Sequence, residues 1–146
     1  MKKRIDISHL EPQAYKAMFE LEKYLNDTEL DKSLRKLIKI RASQINRCAY
    51  CIEMHTKDAL ENGEDQRRIF ALSAWRESPL FSEKEKAVLK MTEEISLISH
   101  KGLKKKTSEN IRKYFSDNEI IQIIMQIGTI NTWNRIVIST HMFHQE

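Results

Sequence analysis

An all-α fold is predicted by three features of the sequence. Glycine and proline are scarce, three and two among 146 residues, which leaves little of the turn chemistry that strands require. Apolar residues recur at three- and four-residue spacing through most of the chain. Two Ser-x-x-Glu sequences, Ser82 to Glu85 and Ser116 to Glu119, each head an apolar-periodic run, as capping boxes do. The expectation is a compact helical domain of about six to seven helices, spanning residues 1–146 as one unit and assembling as a homo-oligomer.

The first helix opens at Pro12, where a first turn accepts proline, and carries Tyr15, Met18, Phe19 and Leu25 at helical spacing. Asn26-Asp27-Thr28 ends it. A second helix runs from about Asp31, with Leu34, Leu37, Ile38 and Ile45 as its stripe. The third holds both cysteines and stops at Asn62-Gly63. A short fourth helix covers Asp65 to Trp75, with Ile69, Leu72 and Trp75 inward, and Ser78-Pro79 breaks it. The fifth opens at the Ser82 box and keeps its period through Val88, Met91, Ile95 and Ile98. A lysine-rich loop follows, then a short helix around Ile111, Tyr114 and Phe115.

The Ser116 box opens the last and longest helix. Its first half, from Ile120 to Ile127, is apolar on nearly every face, and a small domain has difficulty covering such a helix alone. This predicts a subunit interface in a closed symmetric oligomer, with a central core helix in a monomer as the alternative. Trp75, Met91 and Trp133 lie on helical apolar stripes and are read as core or interface residues. Thr132, Asn134 and Arg135 could serve either a site or an interface.

Composition narrows the function classes. The net charge of +4 is spread along the chain, with one local cluster at Lys101, Lys104, Lys105 and Lys106. That cluster is read as a solvated interhelical loop, and no nucleic-acid-binding motif accompanies it. No apolar run approaches the roughly 18 residues that would span a membrane. Basic Met1-Lys2-Lys3-Arg4 is followed by Ile5-Asp6-Ile7-Ser8-His9 instead of an apolar signal core, so no signal peptide and a cytoplasmic location are expected. In that compartment a C-x-x-C pair points to catalysis or metal binding more than to a structural staple.

Cys48 and Cys51, the two cysteines of the chain, are followed by His55. On a helix Cys51 and His55 share a face, and Cys48 stands at the entry to the same turn. Two thiolates and an imidazole leave structural zinc short of a fourth ligand, and His141 and His144 are the other local ligand-like pair. Covalent haem attachment would need histidine directly after the second cysteine, where Ile52 stands. Simple packing of two buried thiols is a further alternative. The favoured reading is thiol redox chemistry: a helix N-terminus and a nearby base lower a thiol pKa, and His55 can take the proton of Cys51. Cys51 would then be the nucleophile oxidised to a sulfenic acid, and Cys48 would resolve it to a disulfide. No cofactor or metal is expected.

Three segments carry a family resemblance: Ile38-Lys39-Ile40-Arg41-Ala42-Ser43-Gln44-Ile45-Asn46, Cys48-Ala49-Tyr50-Cys51-Ile52-Glu53-Met54-His55, and Ala74-Trp75-Arg76-Glu77-Ser78. With Asn131-x-Trp133-Asn134-Arg135-Ile136, they resemble in order the alkylhydroperoxidase D-like branch of the carboxymuconolactone decarboxylase family, over roughly Leu34 to Ile138. The resemblance implies an all-helical fold in homo-oligomers, often trimers or hexamers. It also implies reduction of a hydroperoxide substrate by the cysteine pair, recycled by a thiol reductant or redox partner protein. Cys51 corresponds to the family's sulfenic-acid cysteine, Cys48 to its proton donor and resolving thiol, and His55 to its histidine. The family's relay glutamate stands twelve residues before the first cysteine, where this chain has Lys36. A lysine cannot relay a proton near neutral pH as a carboxylate does, although its ammonium could stabilise a thiolate. Glu53, as a substitute, should face elsewhere on the helix. Arg47 stands where a glycine is common, adding a positive charge beside Cys48.

Overall fold

A computed structural model describes residues 4–142, and among these the chain forms nine α-helices and no strands. A single turn, α1 (Ile7–Leu10), is capped by Asp6, whose carboxylate accepts from the Ser8 amide. Helix α2 (Pro12–Asn26) opens with proline in its first turn, and α3 (Lys32–Ile45) is capped by Asp31, which accepts from the Leu34 amide at 3.0 Å. Helix α4 (Ala49–Glu61) takes Cys48 itself as its N-cap. Helix α5 (Gln66–Ala71) runs on into a 3-10 turn at Leu72–Ala74. Helices α6 (Glu83–Ser96) and α9 (Asp117–Thr140) both begin with complete capping boxes, at Ser82/Glu85 and Ser116/Glu119 as expected. Between them lie α7 (Ile98–Lys101) and α8 (Lys105–Ile111).

Helix α3 is the hub, packed against α4, α6 and α9. Its Leu34, Ile38 and Ala42 join Val88, Met91, Ile123, Ile127 and Ile130 in one core. Its Leu37 and Ile40 join Ala59, Leu72, Trp75, Phe81 and Leu89 in a second. A helix buried on two faces therefore needs more apolar positions than the predicted stripe, and Ile40 and Ala42 supply them while Ile45 is only half-buried. A third, small cluster joins Cys48 and Cys51 to Val137, with Tyr50 and Met142 against it.

Helix α9 is covered on several sides by α2, α3, α4 and α6 of its own chain, while Ile121 stays 56% exposed. Two expectations change. Leu97 breaks the fifth predicted helix, so Ile98 falls in α7 and is exposed instead of continuing the inward stripe. The lysine-rich stretch is not all loop: Lys101 ends α7, and Lys105 and Lys106 open α8, which closes at Ile111 before Tyr114 and Phe115. The reason is non-local. Glu94 of α6 accepts from the Lys104 amide at 3.1 Å and the Thr107 hydroxyl at 2.9 Å, supplying the start of α8 with acceptors that its own sequence lacks. No described helix is long and apolar enough to cross a membrane.

Candidate active site

The turn from α3 into α4 sets the site. Asn46 ends α3, Arg47 takes a left-handed backbone (φ 57°), and the Cys48 amide donates back to the Ser43 carbonyl at 3.0 Å. Beneath this turn lies a buried amide network from α9. The Asn46 side-chain amide donates to both Asn131 and Asn134, each at 2.9 Å. Asn134 donates in turn to the Ser43 hydroxyl at 3.0 Å, and Asn131 to the Ser96 hydroxyl at 3.0 Å. Arg135 donates to the Asn131 carbonyl and side-chain oxygen. Asn134 and Arg135 thus belong to the support under the cysteine turn, the former fully buried. Two asparagines three residues apart, on one face of a helix with an apolar stripe, were the signal for this, because buried amides require partners.

Cys48 and Cys51 form a disulfide, with their Cα atoms 5.3 Å apart. Both lie in or before the first turn of a 13-residue helix, where unpaired backbone N–H groups favour negative charge on a sulfur. The two are 1% exposed, yet they are not equivalent. Cys51 lines a cleft of about 350 Å³, walled by Tyr15, Phe19, Tyr50, Met54, His55, Trp133, Val137 and Met142, and Cys48 does not. The rings of Tyr15, Phe19 and Trp133 meet edge to face with centroids 4.8–6.0 Å apart. Trp133, half-buried and packed against the main core as its stripe predicts, also walls the cleft and donates its indole N–H to Glu22 at 3.0 Å.

His55 shares the cleft with Cys51, as the spacing predicts. Burial, then the charge of Lys39, with Lys36 adding to it, pushes its pKa down to about 4, against an opposing pull from Asp58. The imidazole is therefore neutral near pH 7 and able to accept a proton, but it is a weak base. Lys36 does not line the cleft, and its ammonium donates to Asp58 of α4 at 2.8 Å. The hydrogen bond from Lys36 holds the Asp58 carboxyl below its ordinary range. Lys39 pairs with Glu22 at 3.7 Å. Glu53 is exposed. Sequence reasoning missed Glu22, which the packing of α2 on α9 brings to this region, and the pairing of Asp58 with Lys36, which depends on the packing of α4 on α3.

The Trp75-Arg76 motif serves a different purpose. Glu93 accepts from the Trp75 indole at 2.8 Å, from Arg41 at 3.1–3.2 Å and from Arg76, forming a clamp that does not line the cleft. No group of three or more His, Cys, Asp or Glu side chains among the described residues is placed to hold a metal ion. His141 is the left-handed cap of α9, and His144 lies outside the described residues.

Residues 12–94, more than half of the chain, match the profile of the carboxymuconolactone decarboxylase family. The chain belongs to that family. Its likeness there is to the alkylhydroperoxidase D-like branch, as the cysteine motif implies. It is 38% identical over 139 residues to the uncharacterised protein YdfG of Bacillus subtilis, covering 95% of each chain. It superposes with TM-score 0.96 and 39% identity, over 99% of both chains, on ATU0492 of Agrobacterium tumefaciens, a protein of unknown function provisionally assigned to AhpD-type antioxidant defence. An uncharacterised peroxidase-related protein of Ralstonia eutropha with an alkylhydroperoxidase AhpD core shares the fold at TM-score 0.83 and 19% identity, over 96% of this chain and 74% of that one. The Cys48–Cys51 pair and its helix-start setting thus sit on a carboxymuconolactone decarboxylase family fold.

Proposed function

We propose that this protein is a thiol-dependent hydroperoxide reductase of antioxidant defence. The observation that carries the reading is the asymmetry of the pair: Cys51 faces an apolar cleft beside a neutral imidazole, and Cys48 backs it from behind. In the reduced state His55 takes the proton of Cys51. The thiolate attacks the terminal peroxide oxygen, the O–O bond breaks, and the alkoxide leaves as an alcohol on taking up a proton. Cys48 then attacks the sulfenic sulfur of Cys51, expelling water and forming the disulfide. A thiol reductant, small or protein-borne, enters by the same cleft, attacks Cys51 and restores both thiols at the cost of its own oxidation. The working form is a homo-oligomer, trimer or hexamer, in the cytoplasm. Exposed Ile121 and Ile138 on α9 give such an assembly an apolar surface to cover.

The test is hydroperoxide consumption with a small dithiol as reductant. Native protein turns over, Cys51→Ser consumes nothing, and Cys48→Ser undergoes a single oxidation and stalls. Full activity in Cys51→Ser overturns the reading.

A second reading has its own observation in its favour. With Lys36 tied to Asp58 and His55 a weak base, proton relay is poorly provided for, which suits a disulfide-exchange enzyme or an oligomeric redox sensor. That reading predicts stoichiometric oxidation without turnover, and different sedimentation of the reduced and oxidised forms.

A further inference from the structure

The cleft over Cys51 has a cationic neighbour. A second cavity of about 300 Å³ adjoins it, lined by Asn26, Lys32, Arg35, Lys36, Lys39 and Asp58 among others. Asn26 lines both. Two pairs connect them as well. Glu22 lines the cleft and Lys39 the second cavity, with 3.7 Å between their charged groups. His55 lines the cleft, and Asp58, three residues on along α4, lines the second cavity.

The two cavities differ sharply in chemistry. The cleft is apolar and aromatic, whereas four cationic side chains face one carboxylate in its neighbour. Lys32, Lys36 and Lys39 follow one another at helical i+4 and i+3 spacing, an arrangement of like charges that disfavours the helix. Arg35 sharpens the excess of donors. It is 6% exposed, and one terminal nitrogen donates to the Leu25 carbonyl and Asn26 side chain at 3.0 Å, while its Nε is buried with no hydrogen-bond partner. Even with Lys36 paired to Asp58 and Lys39 to Glu22, four cations stand against two carboxylates here, and an incoming anion reduces that excess of positive charge. Hydrogen peroxide would use neither the aromatic wall nor the cations. A molecule with an apolar body and an anionic end would use both, and each cavity is at the low end of the roughly 300–1,000 Å³ of small-molecule sites.

We infer that the two cavities together take an elongated organic carboxylate, its apolar chain against Tyr15, Phe19 and Trp133 and its carboxylate on the Lys32–Lys36–Lys39 face of α3. Resting on the peroxidase reading above, this makes the oxidant a hydroperoxide of a long-chain carboxylic acid. Cys51 takes the terminal peroxide oxygen, and the product is the corresponding hydroxy acid.

The binding step is tested without turnover. Trp133 reports from inside the cleft, so the oxidised protein is titrated with decanoate and with methyl decanoate while tryptophan fluorescence is followed. Trp133→Phe identifies the signal. Decanoate is expected to bind saturably and at least about tenfold more tightly than its ester, and Lys32→Gln/Lys36→Gln is expected to abolish that preference and leave the ester unchanged. Equal binding of acid and ester, or a preference untouched by the double variant, overturns the carboxylate site. Turnover is then compared for a fatty-acid hydroperoxide, its methyl ester and cumene hydroperoxide. Consumption of all three with no acid preference overturns the carboxylate site alone. Decanoate binding with no hydroperoxide consumed overturns the peroxidase reading and the hydroperoxide identity of the ligand together.

Discussion

Lys36 of α3 donates to Asp58 of α4 at 2.8 Å, and Asp58 lies three residues beyond His55 on the same helix. The position at which the family resemblance implies a relay glutamate is thus filled by a cation, and a carboxylate faces it from the histidine's own helix. The charge pattern around the imidazole is altered accordingly: Lys36 and Lys39 disfavour its protonation, and Asp58 only partly offsets them.

Lys36→Glu follows directly as a probe of that arrangement. It removes one of the two cations, adds an anion at the family position and leaves Asp58 without its partner. The His55 pKa is expected to rise from about 4, read from the imidazole resonances during an NMR titration. Peroxide turnover is expected to rise with it. Because Asp58 is half exposed, stability should change by no more than about 1 kcal/mol. An imidazole that titrates as before would show that Lys36 does not set the electrostatics of His55.

Asn134→Ala tests the support beneath the cysteine turn. The residue is fully buried, and its loss deprives both the Ser43 hydroxyl and the Asn46 amide of a partner. A destabilisation of about 1–3 kcal/mol in urea unfolding is expected. Since Ser43 also holds the Cys48 amide, disulfide formation in the reduced protein should slow as well. A normal oxidation rate in a destabilised variant would confine the network to a role in folding.

What the sequence disclosed and what it concealed divide by the range of the interactions. Local signals were readable: Pro12 opening α2, the Ser82 and Ser116 boxes opening α6 and α9, and the cysteine spacing that brings Cys51 and His55 to one cleft. The α8 start was not, because its acceptors belong to Glu94, ten residues before Lys104. Nor was the aromatic wall, which joins Tyr15 and Phe19 to Trp133 across more than a hundred residues. Trp133 sits on an apolar stripe in either role, and only the packing of α2 against α9 distinguishes a core position from a cleft wall. Lys36 was legible as a departure from the family, but its engagement with Asp58 depends on the register of α3 against α4.

The neutral imidazole also predicts an acid sensitivity. His55 titrates near 6.5 in the unfolded chain and at about 4 in the folded one, facing Lys36 and Lys39 from α3 and Asp58 from its own helix. Between those values the unfolded state binds the additional proton, so stability rises with pH across that window. The contribution is fully present above about 6.5 and is lost as the pH falls towards 4, by at most roughly 3.5 kcal/mol at about 1.4 kcal/mol per unit. Asp58 works in a lower window: held down chiefly by the Lys36 hydrogen bond, its contribution is lost only as the pH falls below its ordinary value of 3.8. Urea unfolding of the oxidised protein at pH 7 and at pH 4.5 separates the two. The native midpoint is expected to drop between these pH values by more than that of His55→Gln, which carries no titrating group there. Equal drops in both proteins would mean that the imidazole is solvated well enough to protonate in place, and the neutral base beside Cys51 would be lost with it.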